Sequence, residues 1–408
     1  MSPFPCIRAR LLIAAAFLSV LIPAPGALAQ ATLWEVYNDA AIRAYQAGRY
    51  PEAEKMALRA MKAAEKLGIQ DRRVALSLHT LGLIQTAQGK YDQAEASFKQ
   101  SLSISEKALG PNHPIVAKGL CGLAGLCRAR GRYDEADDLY SRSLVISEQL
   151  LGSDRPDVAS TLQDMGDLYC AQIRYVEAEL LYKRALWIRE LLFGPDHPDV
   201  ASTLNGLSAL YYAQGRYQEA ELLLQRSLKI AVKSLGENDP VVAGIVSNMA
   251  DCRRGLGDFE QAETLYNRSL AISEATLGAA HPRVASVLNS LGLLYWTHRD
   301  FGQAESMYKR ALAIREKALG ANHPDVAATL NNLALLYHSQ NRYGDAEPLY
   351  KRSLAIWEKT RDADRSAMAQ VLENYAPLLK LTKRAAEAEP LLQRAREIRS
   401  KSKERPDL

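Results

Sequence analysis

Apolar residues recur along this chain at helical spacing, in segments that come in pairs. Val200, Leu204, Leu207 and Tyr211 share one face of a helix that opens near Pro198. Ala220, Leu224 and Leu228 share one face of a second helix, expected from about residue 218 to residue 235. Gly215-Arg216-Tyr217 forms the short turn between them, and Gly236 stops the second helix, because glycine tolerates the left-handed cap conformation. Proline suits the first position of a helix, where its missing N–H would have no partner anyway. The same pattern then restarts. Glycines stand at 110, 152, 194, 236, 278 and 320, always 42 residues apart, and Gly68 extends the series backward. Prolines at 114, 156, 198, 240, 282 and 324 keep the same beat. So regular a period predicts an all-α array of stacked helix pairs with no β-sheet.

The period fixes what each pair needs for packing. Alanines stand at 94, 136, 178, 220, 262, 304, 346 and 388, and a small residue there lets the second helix lie close against the first. An aromatic precedes seven of them by three residues: Tyr91, Tyr133, Tyr175, Tyr217, Phe259, Phe301 and Tyr343. Tyr140, Tyr182, Tyr266, Tyr308 and Tyr350 are expected to fill the wider gap to the next pair. Nine pairs are predicted. The central seven open near Val74, Val116, Val158, Val200, Val242, Val284 and Val326. The first, from about Trp34, is one residue short of the register. The last, from about Ser366, lacks the glycine and the proline and has Ala385 in place of the aromatic. Atypical ends suit capping repeats, whose outer faces meet water.

The stretches His323-Pro324-Asp325-Val326-Ala327, Leu330-Asn331-Asn332-Leu333-Ala334, Arg342-Tyr343-Gly344-Asp345-Ala346-Glu347 and Leu349-Tyr350-Lys351-Arg352-Ser353-Leu354 resemble the tetratricopeptide repeat, most of all the long 42-residue variety of kinesin light chains. The likeness runs from roughly residue 34 to residue 400. It implies a right-handed superhelical solenoid that binds other proteins.

Composition adds compartment and excludes some partners. Arg8 and Arg10, the apolar run Leu11 to Ile22, the breakers Pro23, Pro25 and Gly26, and Ala27-Leu28-Ala29 together read as a secretory signal over residues 1–29. The apolar run is shorter than the roughly 20 residues a membrane span needs. An uncleaved anchor is the alternative. Residues 30–400 are then the solenoid and 401–408 a disordered basic tail. Losing the two arginines lowers the net charge from +4 to +2, which gives no ground for a nucleic-acid partner. No later stretch is long and apolar enough to span a membrane. The expected place is the periplasm or the exterior. Four cysteines remain, Cys121, Cys127, Cys170 and Cys252. Cys127 and Cys170 are 43 residues apart, one repeat plus one residue, and are a candidate disulfide between neighbouring first helices, although stacked helices tend to hold such residues too far apart.

Candidate chemistry is sparse. His113, His197, His281 and His323 precede repeat prolines. Equivalent loops of stacked repeats lie roughly 10 Å apart, whereas metal–nitrogen bonds are about 2 Å, so these histidines read as turn residues and not as a metal ladder. Glu95/Lys99, Glu179/Lys183, Glu305/Lys309 and Glu347/Lys351 read as i,i+4 ion pairs on a solvated face. No metalloprotease motif, nucleophile elbow, phosphate loop or dinucleotide fingerprint is present, and no cofactor or enzyme activity is expected.

The resemblance implies that first helices line a concave groove, with the position after the conserved leucine pointing inward. His79, Cys121, Gln163, Asn205, Ser247, Asn289 and Asn331 hold that position. Thr86, Arg128, Cys170, Tyr212, Arg254, Trp296 and His338 stand seven residues later, on the same face. Asn205, Tyr212, Arg254, Asn289, Trp296, Asn331 and His338 are therefore the candidate peptide-binding residues, since amides pair with an extended backbone and rings cover its side chains. The competing account is that the asparagines bond one another between repeats and only order the stack. Two other roles stay open: a structural subunit of an envelope assembly or secretion complex, and a regulatory array for a separate enzyme.

Overall fold

The computed structural model describes residues 25–359 and 365–403. Eighteen helices follow one another, with no strand among the described residues. They form nine pairs: α1 (Pro25–Gln46) with α2 (Tyr50–Glu65), α3 (Arg72–Ala87) with α4 (Tyr91–Leu109), α5 (Pro114–Ala129) with α6 (Tyr133–Leu151), α7 (Pro156–Ala171) with α8 (Tyr175–Phe193), α9 (Pro198–Ala213) with α10 (Tyr217–Leu235), α11 (Pro240–Gly255) with α12 (Phe259–Leu277), α13 (Pro282–Thr297) with α14 (Phe301–Leu319), α15 (Pro324–Ser339) with α16 (Tyr343–Lys359), and α17 (Arg365–Leu381) with α18 (Ala385–Lys403).

The punctuation has the anticipated chemistry at helix starts. The repeat prolines open six first helices, and in five of them the side chain before the proline caps a free N–H group. His113, His197, His281 and His323 each accept the main-chain N–H two residues on through Nδ1, at 3.0–3.2 Å. Asp239 does the same for Val241 at 2.7 Å. The helix stops differ from expectation. Gly110, Gly152, Gly194, Gly236, Gly278 and Gly320 have φ between 84° and 92° but ψ between 149° and 164°. That is an extended mirror-image conformation, closed to other residues, and not the left-handed helical one. The chain needs this sharper departure to swing from one pair to the next.

Each first helix packs on its own second helix, and each second helix on the next first helix. Successive first helices also touch, as α3 touches α5 and α5 touches α7, and they do so more closely than successive second helices. The array therefore curves with first helices inside. The spacer residues act as the period anticipates. All eight repeat alanines are wholly buried. The Tyr182 ring wedges between first helices of neighbouring pairs: a Cβ on Gly166 or on Gly206 would lie 3.0 or 2.7 Å from it. Ser101, Ser143, Ser227, Ser269 and Ser353 each donate to a carbonyl of their own first helix. Where Ala185 and Ala311 replace that serine, Arg189 and Arg315 one turn later reach to the next first helix instead, donating to Thr203 and Thr329.

The ends depart in part from the sequence boundaries. Helix α1 begins at Pro25 and runs through Ala29, the expected cleavage point, while the rest of the expected signal lies outside the described residues. Helix α18 continues to Lys403, so the expected disordered tail begins in a helix; residues 404–408 lie outside the described residues.

Candidate functional site

The candidate inner wall comprises the row after each conserved leucine and the row two turns later. Helix α3 places His79 against Phe98 and under Gly122, where burial and Lys118 push its pKa down to about 4 and keep it neutral. Helix α5 sets Cys121 Sγ 3.1 Å from Ser143 Oγ. Helix α7 turns Gln163 to Arg189, 2.5 Å away. These three are packing residues of the stack.

The asparagines behave differently. Asn205 accepts from Asn248 at 2.8 Å, Asn289 from Asn332 at 3.1 Å, and Asn331 from Asn374 at 3.1 Å. Each bond joins a lining position to the following residue of the next repeat, 43 residues on. The side-chain oxygens are thus committed to ordering the stack, as the competing account has it. Asn205 and Asn289 remain half-buried and Asn331 is buried. One carboxamide bond per lining asparagine leaves donor capacity over. The partners Asn248, Asn332 and Asn374 are absent from the sequence-based set; the signal for them is the residue one past the lining position, one repeat later.

The second row is more open. Tyr212, Arg254, Trp296 and His338 are all half-buried. Arg254 donates to the Tyr212 hydroxyl at 2.8 Å and lies 3.4 Å from Asp251, which also receives the Tyr266 hydroxyl at 2.6 Å. Trp296 Nε1 donates to Ser339 Oγ at 3.1 Å. The His338 ring meets Tyr343 edge-on, with centroids 5.6 Å apart. Tyr212 and Arg254 are therefore brought together directly, while Trp296 and His338 each find another neighbour. Arg128 and Arg254 do not leave bare positive charge, since Asp167 lies 3.9 Å from the first and Asp251 beside the second. Asp164, one residue past the lining position, is pushed up to about 6 by burial and by Asp167, against Arg128 and Arg189.

The candidate disulfide does not form. All four described cysteines are free. Cys127 is buried toward Arg132 and Glu135 of its own repeat, while Cys170 turns to Tyr182 and Asp167. Two first helices side by side thus point these thiols at different neighbours. The charged pairs on the outer face form as read: Lys99, Lys183, Lys309 and Lys351 lie 2.6–2.8 Å from Glu95, Glu179, Glu305 and Glu347.

The tetratricopeptide repeat profile matches residues 35–107, 73–144, 115–190, 174–231, 242–317, 299–359 and 325–401. No curated protein matches the chain. Among solved structures, BtubC (BKLC) from P. vanneervenii is 27% identical with a TM-score of 0.45, over 57% of this chain and 91% of that one. A Rap protein complexed with competence and sporulation factor is 14% identical with a TM-score of 0.54, over 93% of this chain and 100% of that one. Aspartyl phosphate phosphatase F from Bacillus subtilis is 11% identical with a TM-score of 0.52, over 93% and 95%. The last two show the same fold.

Proposed function

The chain belongs to the tetratricopeptide repeat family, in a 42-residue form similar to that of kinesin light chains, and on that premise we propose that it is an exported interaction scaffold that grips an extended segment of a partner protein in its concave groove. The observation that carries this is the state of the second inner row. Tyr212, Arg254, Trp296 and His338 are held in place by neighbouring side chains, yet each keeps part of its surface exposed. Half-exposed rings in fixed orientation cover large apolar area at low entropic cost. The asparagine row contributes what its stacking bonds leave over, donors suited to main-chain carbonyls. Export rests on the N-terminal signal pattern; intact mass of protein from its native host is expected to show a new terminus at Gln30.

The test uses linear random-sequence peptides displayed with one free end and selected on the whole protein. Tyr212→Ala with Trp296→Ala is expected to weaken the selected peptides at least tenfold while the melting temperature stays within a few degrees. Peptides retained equally well by the variant would place recognition elsewhere.

A contact with another subunit is the second reading, and α8 favours it. Val176, Leu180, Trp187 and Leu191 form an exposed apolar stripe on the outer face. The same positions of α12 carry Glu260, Thr264, Ala271 and Ala275. Trp187→Glu is expected to break such a contact without affecting peptide retention.

A further inference from the structure

In an open solenoid each repeat touches only its neighbours. Here the first two repeats also meet the seventh and eighth. The turn between α1 and α2 lies against the start of α13, so closely that a Cβ on Gly48 would stand 2.6 Å from the His281 ring and 3.0 Å from Pro282. One repeat on, the turn between α3 and α4 meets the start of α15 in the same way: a Cβ on Gly89 would stand 2.9 Å from the His323 ring and 3.3 Å from Pro324. His281 is 7% exposed and Pro324 is buried, whereas His113, His197, Pro114 and Pro198, in the same places of earlier repeats, are only half-buried. Nε2 of His281 is buried there without a well-formed hydrogen bond, with the Gln46 main chain beside it. The Ala87 main chain lies in the same relation to His323. Tyr50 and Tyr91 sit close enough to feel the charge of Asp325 across the gap.

The glycines mark this as a built contact. Nine turns join first to second helices, and their residues at positive φ include Ile173, Arg299, Asn341 and Lys383 at 60–65°. The turn therefore accepts a side chain. Gly215 and Gly257 also occupy it, and a Cβ on either would meet nothing within 4 Å. At 48 and 89 the far repeat stands where a side chain would go.

We infer that the superhelix closes on itself after six repeats, with the Gly48 and Gly89 turns latched onto His281–Pro282 and His323–Pro324, and that the groove is thereby a channel which an extended chain enters by its end. The width follows from helix geometry. Six inner helices roughly 9–10 Å apart put each axis about as far from the centre. Subtracting half a helix diameter of about 10–12 Å leaves a lumen roughly 6–10 Å across. An extended chain fits that width, while a helix or folded domain does not. The inference rests on the groove-binding proposal for what enters, but not for the latch.

Two measurements separate the two. Lys90→Cys with Asn322→Cys, treated with a short bismaleimide, is expected to give a link within one molecule, mapped by peptide mass. Gly48→Asn with Gly89→Asn should abolish the link and lengthen the particle in small-angle scattering, because asparagine suits the turn but not the seam. Gly215→Asn with Gly257→Asn should change neither. Failure to link the closed pair, together with scattering of an open superhelix by the unsubstituted protein, overturns the latch. For the channel, a selected linear peptide is placed between two folded domains. Binding is expected to fall at least tenfold in the unsubstituted protein and to return in the Gly48→Asn, Gly89→Asn variant. Equal binding of the free and the blocked peptide overturns entry by the end. If no linear peptide is retained by either protein, groove binding and channel entry both fall, and the cross-link still decides the latch.

Discussion

At Asn289 the carboxamide oxygen receives Asn332 at 3.1 Å, and at Asn331 it receives Asn374 at the same distance. These bonds hold first helices of successive repeats in register, so the asparagines are stability elements whatever else they bind. Asn289→Ala with Asn331→Ala strands two neighbouring amides, and each loss is expected to cost about 1 kcal/mol. A urea melt should show the midpoint fall accordingly; an unchanged midpoint would mean that the ladder orders nothing. The thiols make a second residue-scale test. Burial pushes Cys127 and Cys252 up to about 12 and Cys170 to about 11, and it raises Cys121 as well. The reactive thiolate is therefore scarce at pH 8. Maleimide is expected to label the native protein slowly and all four cysteines after unfolding. Fewer than four labelled sites in unfolded, unreduced protein would reveal a disulfide that the folded geometry argues against.

Between elements, the deciding feature is how a ring on a second helix meets a glycine on a first helix. Tyr182 fills the space beside Gly206, whereas Gly244 on α11 has nothing within 4 Å of its missing Cβ. Gly206→Ala is expected to destabilise by about 1–3 kcal/mol through overpacking. Gly244→Ala should stabilise by roughly 0.5–1 kcal/mol, since alanine is the better helix former. Equal melts for the two variants would contradict the wedge. The period itself made helix pairs, spacer alanines and capping prolines legible in the sequence, because each follows from a local need repeated every 42 residues. The asparagine bonds were half legible: the lining residue follows from helical spacing, but its partner depends on how one helix is offset against the next. Ile173 and Lys383 at positive φ were not legible, since the shape of the turn overrides local preference there. Nor were the Gly48–His281 and Gly89–His323 contacts, which depend on superhelical curvature summed over six repeats.

At the scale of the whole molecule, those two contacts depart from nearest-neighbour stability, and their chemistry makes them sensitive to pH. The His281 pKa is lowered by burial and by Arg283, against the Gln46 carbonyl. The His323 pKa is lowered by burial and by Arg315, against Asp325 and the Ala87 carbonyl. Tyr50 and Tyr91 also face the seam, with Tyr45 beside the first and Arg130 beside the second. The docked state thus disfavours imidazolium in both rings, whereas an undocked ring titrates near the ordinary value of about 6.5. Docking is at full strength above about 6.5 and weakens as pH falls through that value toward the lowered ones. Protonation of Nδ1 also removes the acceptor for the capped main-chain N–H of Arg283 and of Asp325. Small-angle scattering is therefore expected to show the particle lengthen between pH 7.5 and pH 5 while circular dichroism reports unchanged helix. The Gly48→Asn, Gly89→Asn variant should be long at both values. A wild-type shape indifferent to pH, with the cross-link between positions 90 and 322 still forming at pH 5, would show that neither histidine governs the closure.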